Sequence, residues 1–139
     1  VELLDIFPTI CNLAGIPIPE DLDGVSLVPI LDKKSESLKE FAISQYPRRC
    51  NVMRSVIGRY PDDCTLMGYA VRNDRYRYIA WVSGNFEDRS SFNNDKIIME
   101  ELYDYEIDPL ETKSFSLDSD YQKIKEKMIG NLRGVIWEN

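Results

Sequence analysis

The sequence predicts an α+β fold, in which a small antiparallel β-sheet of about four strands packs against a C-terminal helix and an N-terminal helix. Three observations lead to this prediction. Apolar residues follow helical spacing at the start and at the end of the chain, and alternating stretches near its middle meet at a turn. The 139 residues, 43% of them hydrophobic, suffice for one domain with a buried core.

Apolar side chains at the start of the chain recur at the spacing of an α-helix. Between Val1 and Leu13 they fall three and four positions apart. Asp5 is placed to cap the regular helix, and Gly15 is placed to end it. Val25 to Leu31 fit one short helical turn. We expect Cys11 to be a small buried apolar residue of the helix.

Strands are predicted where side chains alternate or where aromatic and β-branched residues cluster. The stretches run from Phe41 to Tyr46, from Leu66 to Arg72, from Arg75 to Val82 and from Glu101 to Tyr105, with Ile97 to Met99 as a lead-in. Pro47 should end the first strand, and Asn73-Asp74 should form a hairpin turn. In the third strand, Tyr78 and Ala80 point to one face while Trp81 points to the other. One face should cover a helix.

The end of the chain predicts a second helix. Ser119 and Gln122 have the spacing of a capping box, which would open a helix running through about Arg133. Its apolar face would consist of Tyr121, Ile124, Met128, Leu132 and Ile136.

Composition excludes several classes of function. The net charge of −7 argues against general nucleic-acid binding, and no run approaches the ~20 apolar residues of a membrane span. Histidine is absent, which removes the commonest general base near neutral pH and all histidine-based triads and metal sites. The three cysteines include no C-x-x-C pair. Cys50 and Cys64 could form a disulfide, which the sequence leaves open.

Arginines are concentrated in one part of the chain. Seven of the nine lie between Arg48 and Arg77, opposed by only three aspartates. This distribution fits an anionic ligand held at one place, but it equally fits arginines that pair with the chain's own acids. We expect Arg72, Arg75 and Arg77 to be strand-edge and surface charges.

Three segments, in this order, carry a family resemblance. They are VELLDIFPTICNLAG at residues 1–15, MGYAVRNDRYRYIAW at 67–81 and ELYDYEIDP at 101–109. Each is weak alone, but their order and spacing are specific, and together they resemble the C-terminal region of sulfatases of the alkaline phosphatase superfamily. SQYPR at 44–48 and the following LMGY at 66–69 are similar to the iduronate-2-sulfatase branch, which removes the 2-O-sulfate from iduronate residues of glycosaminoglycans.

The resemblance implies a two-part enzyme of which this chain is a fragment. A larger N-terminal catalytic domain would hold a formylglycine nucleophile made from a C-x-P-S-R or S-x-P-x-R motif, together with calcium and catalytic His and Lys residues. Neither motif occurs here, so we assign no catalytic or metal-binding residue and expect the chain to be inactive alone. Residues 1–32 would be a helical lead-in from the large domain, and residues 41–139 the sheet and C-terminal helix.

The resemblance also implies where substrate is bound. In the iduronate branch, a basic residue between the QYPR motif and the hairpin holds the uronate carboxylate. Arg49, Arg54 and Arg59 are the candidates here, and Arg59 is the best match by its distance from the motif. A guanidinium group can bind a carboxylate through two hydrogen bonds. The alternative for these three is a solvated surface arginine, and for Arg48 the favoured alternative to substrate binding is a structural ion pair with acids of the missing domain.

Six aromatic residues also suggest carbohydrate stacking, namely Tyr69, Tyr76, Tyr78, Trp81, Tyr103 and Tyr105. Aromatic residues on neighbouring strands usually pack as cross-strand pairs, so we expect four of the six to be core.

Partners and location follow from the same resemblance. The expected partners are the catalytic domain and a sulfated glycan, and the isolated fragment should self-associate through the face it would turn to that domain. The family resemblance implies export to a periplasmic, secreted or lysosomal compartment. Two other hypotheses stay open, a non-catalytic carbohydrate-binding or accessory domain and a sulfatase for another substrate class, such as an aryl or choline ester.

Overall fold

Two compact units make up the chain in a computed structural model, Val1–Ala42 and Ile43–Asn139. The structure describes residues 1–49, 65–83 and 97–137. The predictions made for Arg54, Arg59 and the Cys50–Cys64 pair lie outside these residues. None of the described helices is long and apolar enough to cross a membrane.

The first unit contains the predicted N-terminal helices. A 3-10 turn, Leu3–Asp5, leads into α1, Ile6–Leu13, and α2 is one turn, Val28–Leu31. Gly15 follows α1 with a φ of +67°, a conformation that glycine adopts readily, so the predicted helix end is confirmed. Cys11 is buried, as predicted.

Asp5 has a different role from the predicted helix cap. Its carboxylate makes no capping bond to α1. Instead it accepts hydrogen bonds from the backbone N–H groups of Glu2 at 2.8 Å and Val25 at 3.0 Å, and from Lys39 Nζ at 2.8 Å. Burial by itself would raise the pKa of Asp5, but these bonds lower it. The carboxylate therefore ties the segment after α1 back to the start of that helix.

The second unit contains a four-stranded antiparallel sheet in the order β1-β2-β3-β4. The strands are Ala42–Arg49 (β1), Thr65–Arg72 (β2), Tyr76–Ser83 (β3) and Ile97–Asp104 (β4). In the β2–β3 pairing Gly68 lies opposite Trp81, and in the β3–β4 pairing Trp81 lies opposite Met99. The predicted fold class is confirmed.

Three strand limits differ from prediction. β1 continues through Pro47 to Arg49, because an edge strand tolerates a residue that has no N–H to donate. Arg75 lies in the turn rather than in β3, since the Asn73 side chain accepts the backbone N–H groups of Arg75 at 3.0 Å and Tyr76 at 2.6 Å. The predicted lead-in at 97–99 is part of β4, which pairs with β3 along this stretch.

The C-terminal helix α3, Gln122–Trp137, packs on β2 and β3. Its Met128 and Leu132 are buried, and so are Val71, Tyr78 and Leu102 on the sheet side. We call this side of the sheet the helix face.

The start of the C-terminal helix differs from the predicted capping box at Ser119. A 3-10 turn, Ser119–Tyr121, precedes α3, and Asp118 caps this turn by accepting the Asp120 N–H at 3.0 Å. An aspartate at the N-cap satisfies N–H groups that lack helical partners, so the cap lies one residue earlier than predicted.

A buried carboxylate, Asp104, joins three parts of this unit. Arg75 donates to both of its oxygens, from Nε at 3.0 Å and from Nη2 at 2.8 Å. The Tyr121 hydroxyl donates at 3.0 Å and the Glu106 N–H at 3.1 Å. The Arg75 hydrogen bonds are the largest cause of the lowered pKa of Asp104, and they outweigh its desolvation. Asp104 thus links the β2–β3 turn, the end of β4 and the start of the C-terminal helix.

We predict that Asp104→Asn lowers the free energy of unfolding by about 2–3 kcal/mol at neutral pH, because Arg75 and Tyr121 lose a buried charged partner. The folded-state pKa of Asp104 is depressed, so its contribution is present above the unfolded pKa of about 3.9 and is lost as pH falls through the folded value. Denaturant unfolding at several pH values measures this. The difference between wild type and variant should shrink in acid.

The exposed Asp74 in the same turn supplies the matched control, Asp74→Asn, which should change stability little. A difference between wild type and Asp104→Asn that stays constant from neutral pH to pH about 2 would contradict the assigned role of the charge.

Candidate anion-binding site

Of the four predicted substrate-binding arginines, the structure describes the side chain of one. Arg48 is exposed near the end of β1. Arg49 is the last residue of β1, and only its strand position is described. Arg54 and Arg59 lie outside the described residues, so their predicted roles stay predictions.

The Arg48 guanidinium lies over an indole ring. Its Cζ is 5.4 Å from the centre of the Trp81 ring, within the range of a cation–π interaction. Within the described parts of the chain, no carboxylate forms an ion pair with Arg48. The ring contact itself uses none of the N–H donors at the edge of the guanidinium.

Trp81 is positioned by its neighbours on both sides. Its Nε1–H donates to Glu101 Oε1 on β4 at 2.6 Å. On β2, Gly68 leaves room for the indole, because a Cβ there would lie 2.7 Å from Trp81 Cζ3. Trp81 is buried and belongs to a cluster with Leu66, Ala70 and Ile79. The ring plane under Arg48 is therefore held by a hydrogen bond and by packing.

Glu101 also accepts a hydrogen bond from the hydroxyl of Tyr103. Burial raises the pKa of Tyr103, and the hydrogen bond to Glu101 raises it further. The phenol therefore stays protonated and keeps donating. Arg48, Trp81, Glu101 and Tyr103, with Gly68 beneath the ring, are called the cross-sheet row below, since they come from all four strands.

Two other arginines of the cluster already have acidic partners. Arg77 Nη1 donates to both oxygens of Glu111 at 2.9 Å, and the Tyr105 hydroxyl also donates to Glu111. Burial would raise the pKa of Glu111, but these hydrogen bonds lower it. Arg75 pairs with Asp104. Arg72 and Arg75 are exposed, as predicted, while Arg77 is half-buried. Arg75 and Arg77 pair with the chain's own acids, which is the alternative that the arginine-rich stretch left open.

The aromatic residues are less buried than predicted. Tyr78 and Trp81 are in the core, while Tyr69, Tyr76, Tyr103 and Tyr105 are half-buried. The expectation of four core residues was therefore wrong. Tyr103 and Tyr105 stay near the surface because each hydroxyl donates to a carboxylate, at Glu101 and Glu111.

No group of three or more His, Cys, Asp or Glu residues within the described ranges is arranged to hold a metal ion. The described residues therefore offer no calcium site. They supply charge and hydrogen-bond donors, which can bind an anion.

The family model for the C-terminal region of N-sulphoglucosamine sulphohydrolase matches residues 1–137. The chain therefore belongs to this family of sulfatase C-terminal regions.

Two relatives that the chain resembles are sulfatases by name. It is 32% identical over 122 residues to a Δ4,5-hexuronate-2-O-sulfatase of Bacteroides thetaiotaomicron, covering 87% of this chain and 20% of that protein. It is 31% identical over 140 residues to human iduronate 2-sulfatase, covering 86% of this chain and 25% of that protein. The chain thus spans about a quarter or less of the length of these relatives.

Solved structures agree on the fold. A Bacteroides thetaiotaomicron protein assigned as a sulfatase superposes with a TM-score of 0.68 at 28% identity, covering 96% of this chain and 24% of that one. A structure determined with D-glucosamine-2-N,6-O-disulfate as its substrate superposes with a TM-score of 0.65 at 22% identity, covering 97% of this chain and 24% of that one. At that identity, the second likeness concerns the fold alone.

Proposed function

We propose that this chain is the C-terminal subdomain of an exported sulfatase that hydrolyses sulfate esters of glycosaminoglycan uronates, as iduronate 2-sulfatase does. The family match over residues 1–137 carries the proposal. The subdomain completes the substrate pocket and is inactive alone. Formylglycine, calcium and the catalytic His and Lys residues belong to the preceding domain of the same polypeptide.

The uronate part of the proposal is supported by two relatives and by one motif. The names of the relatives at 32% and 31% identity specify hexuronate 2-O-sulfate and iduronate 2-sulfate. The SQYPR motif at residues 44–48 carries the iduronate-branch resemblance and ends in Arg48. A uronate substrate brings a carboxylate as well as the sulfate, and guanidinium groups suit both anions.

The surface of the first unit supports a neighbouring domain. The outward side of the first helical segment is a continuous apolar stripe, formed by Leu3, Ile6, Phe7, Ile10 and Leu13. Its buried side includes Asp5 and Thr9. The buried side also includes Pro8 and Cys11, so the segment is apolar on both sides, whereas a surface helix usually turns polar side chains outward. A stripe of this kind fits burial against further protein surface, for which we propose the catalytic domain.

We predict that the longer polypeptide carrying this chain desulfates a 2-O-sulfated uronate disaccharide, and that the 139-residue chain alone releases no sulfate. The chain alone has no histidine to move protons and no sequence motif for the aldehyde nucleophile. Sulfate release measured by ion chromatography on both proteins tests this. Turnover by the purified chain, or none by the longer polypeptide on any sulfated glycan, would refute the proposal.

We predict that Arg59→Ala in the longer polypeptide weakens binding of the uronate substrate by about 1.5–3 kcal/mol, the size of a hydrogen bond to a charged group. An aryl sulfate has no uronate carboxylate, so its kcat/KM should not change. Arg133→Ala replaces an exposed arginine on the C-terminal helix and serves as the control. Equal losses on both substrates would point to a folding defect and against carboxylate binding.

We predict that the isolated chain self-associates through the apolar stripe as its concentration rises from micromolar to millimolar. Phe7→Glu places a charge in the middle of the stripe and should restore the monomer in sedimentation velocity. Leu117→Glu changes an exposed apolar residue of the second unit and should leave association unchanged. A wild-type chain that stays monomeric throughout would count against the stripe as an association surface.

A further inference from the structure

The described arginines of the hairpin and β1 differ in whether their charge is already neutralised. Arg75 and Arg77 each pair with a carboxylate. Arg48 and Arg72 lie over aromatic rings instead, with Cζ 5.4 Å from the centre of the Trp81 ring and 4.3 Å from that of Tyr105. An ion pair uses the donors of the guanidinium, whereas a ring face attracts the cation and leaves the donors at its edge unused. Arg48 is therefore held in place without an acidic partner among the described residues.

Trp81, whose ring lies beneath Arg48, is held by hydrogen bonding as well as by packing. A buried tryptophan needs one acceptor for its N–H, and Trp81 uses a charged one, Glu101, at 2.6 Å. Tyr103 donates to the other oxygen of the same carboxylate and fixes its orientation. Gly68 leaves the space into which the indole fits. The four contacts form one path from β4 to β1.

We propose that Arg48 is an anion-binding residue of the substrate pocket and that Trp81, oriented by Glu101 and accommodated by Gly68, is its positioning residue. The inference rests on the proposed function. The anion is an oxyanion of the glycan other than the sulfate being cleaved, either the uronate carboxylate or a second sulfate. An immobilised guanidinium loses less side-chain entropy on binding than a free one, so the cross-sheet row stabilises the complex through Arg48.

The first experiment tests positioning in the longer polypeptide and needs no substrate. The Arg48 Nε–Hε resonance should carry a ring-current shift from Trp81. Gly68→Ala adds a methyl group where the indole lies, and Glu101→Gln removes the charge that holds the indole N–H, so both should move this resonance. The Arg133 resonance should stay in place and is the internal control. An Arg48 resonance that moves in neither variant would overturn the positioning role.

The second experiment tests anion binding in the longer polypeptide. Arg48→Ala should lower kcat/KM for a 2-O-sulfated uronate disaccharide by about 10- to 100-fold, as expected for loss of one charge-assisted hydrogen bond. Gly68→Ala should raise KM by about three- to tenfold with kcat little changed, since it displaces the ring and leaves the arginine present. Arg48→Lys should recover part of the loss. Arg133→Ala should match wild type.

Comparison of substrates identifies the anion. If the Arg48→Ala effect disappears on a carboxyl-reduced disaccharide, Arg48 binds the carboxylate; if it persists there and disappears without the second sulfate, it binds that sulfate. Either result supports the proposal. Unchanged kcat/KM in Arg48→Ala overturns the proposal, and so does a loss that stays equally large on substrates lacking the carboxylate and on those lacking the second sulfate. If the proposed function is wrong, the wild-type protein will not turn over the disaccharide. If only the role of Arg48 is wrong, the wild-type protein will still turn it over.

Discussion

The second unit depends on the burial of one charge, Asp104. A carboxylate with no exposed surface is costly unless it is fully hydrogen-bonded. Asp104 meets that requirement with Arg75, Tyr121 and the Glu106 N–H. Because these groups come from three separate segments, the turn, the last strand and the start of the C-terminal helix must all be in place at once. The same network sets where α3 begins over the helix face.

The sequence predicted most of the fold because its signals are local. Helical spacing, strand alternation and the Asn73-Asp74 turn identified the sheet and the helix at each end of the chain, and the errors lie at element limits. Pro47 was read as a strand end, since an isolated proline gives no sign that its strand lies at a sheet edge. Asp5 was read as a cap, since its partners Val25 and Lys39 are 20 and 34 residues away. Such contacts have no local signal.

The candidate site was predictable only in part for the same reason. The arginine-rich stretch and the QYPR motif pointed to Arg48, but its relation to Trp81 depends on the register of four strands. Glu101 and Gly68 gave no functional signal as single residues. The hairpin turn implies a pairing in which Gly68 lies opposite Trp81, and a glycine within a strand often marks a place where another group approaches closely. The partner of Arg75 was not predictable, because Asp104 lies 29 residues away.

The two faces of the sheet therefore differ in how their polar and charged side chains are accommodated. On the helix face, Tyr78, Leu102, Met128 and Leu132 exclude water, and polar groups such as Asp104 are satisfied within the unit. On the other face, Glu101 accepts the hydrogen bonds that Trp81 and Tyr103 donate. The cross-sheet row then ends at the exposed guanidinium of Arg48. If the charge of this arginine were neutralised within the unit, the row would end in a carboxylate, as Arg77 does at Glu111. Within the described residues the row has no such partner at Arg48, and this difference is the basis of the proposed anion site.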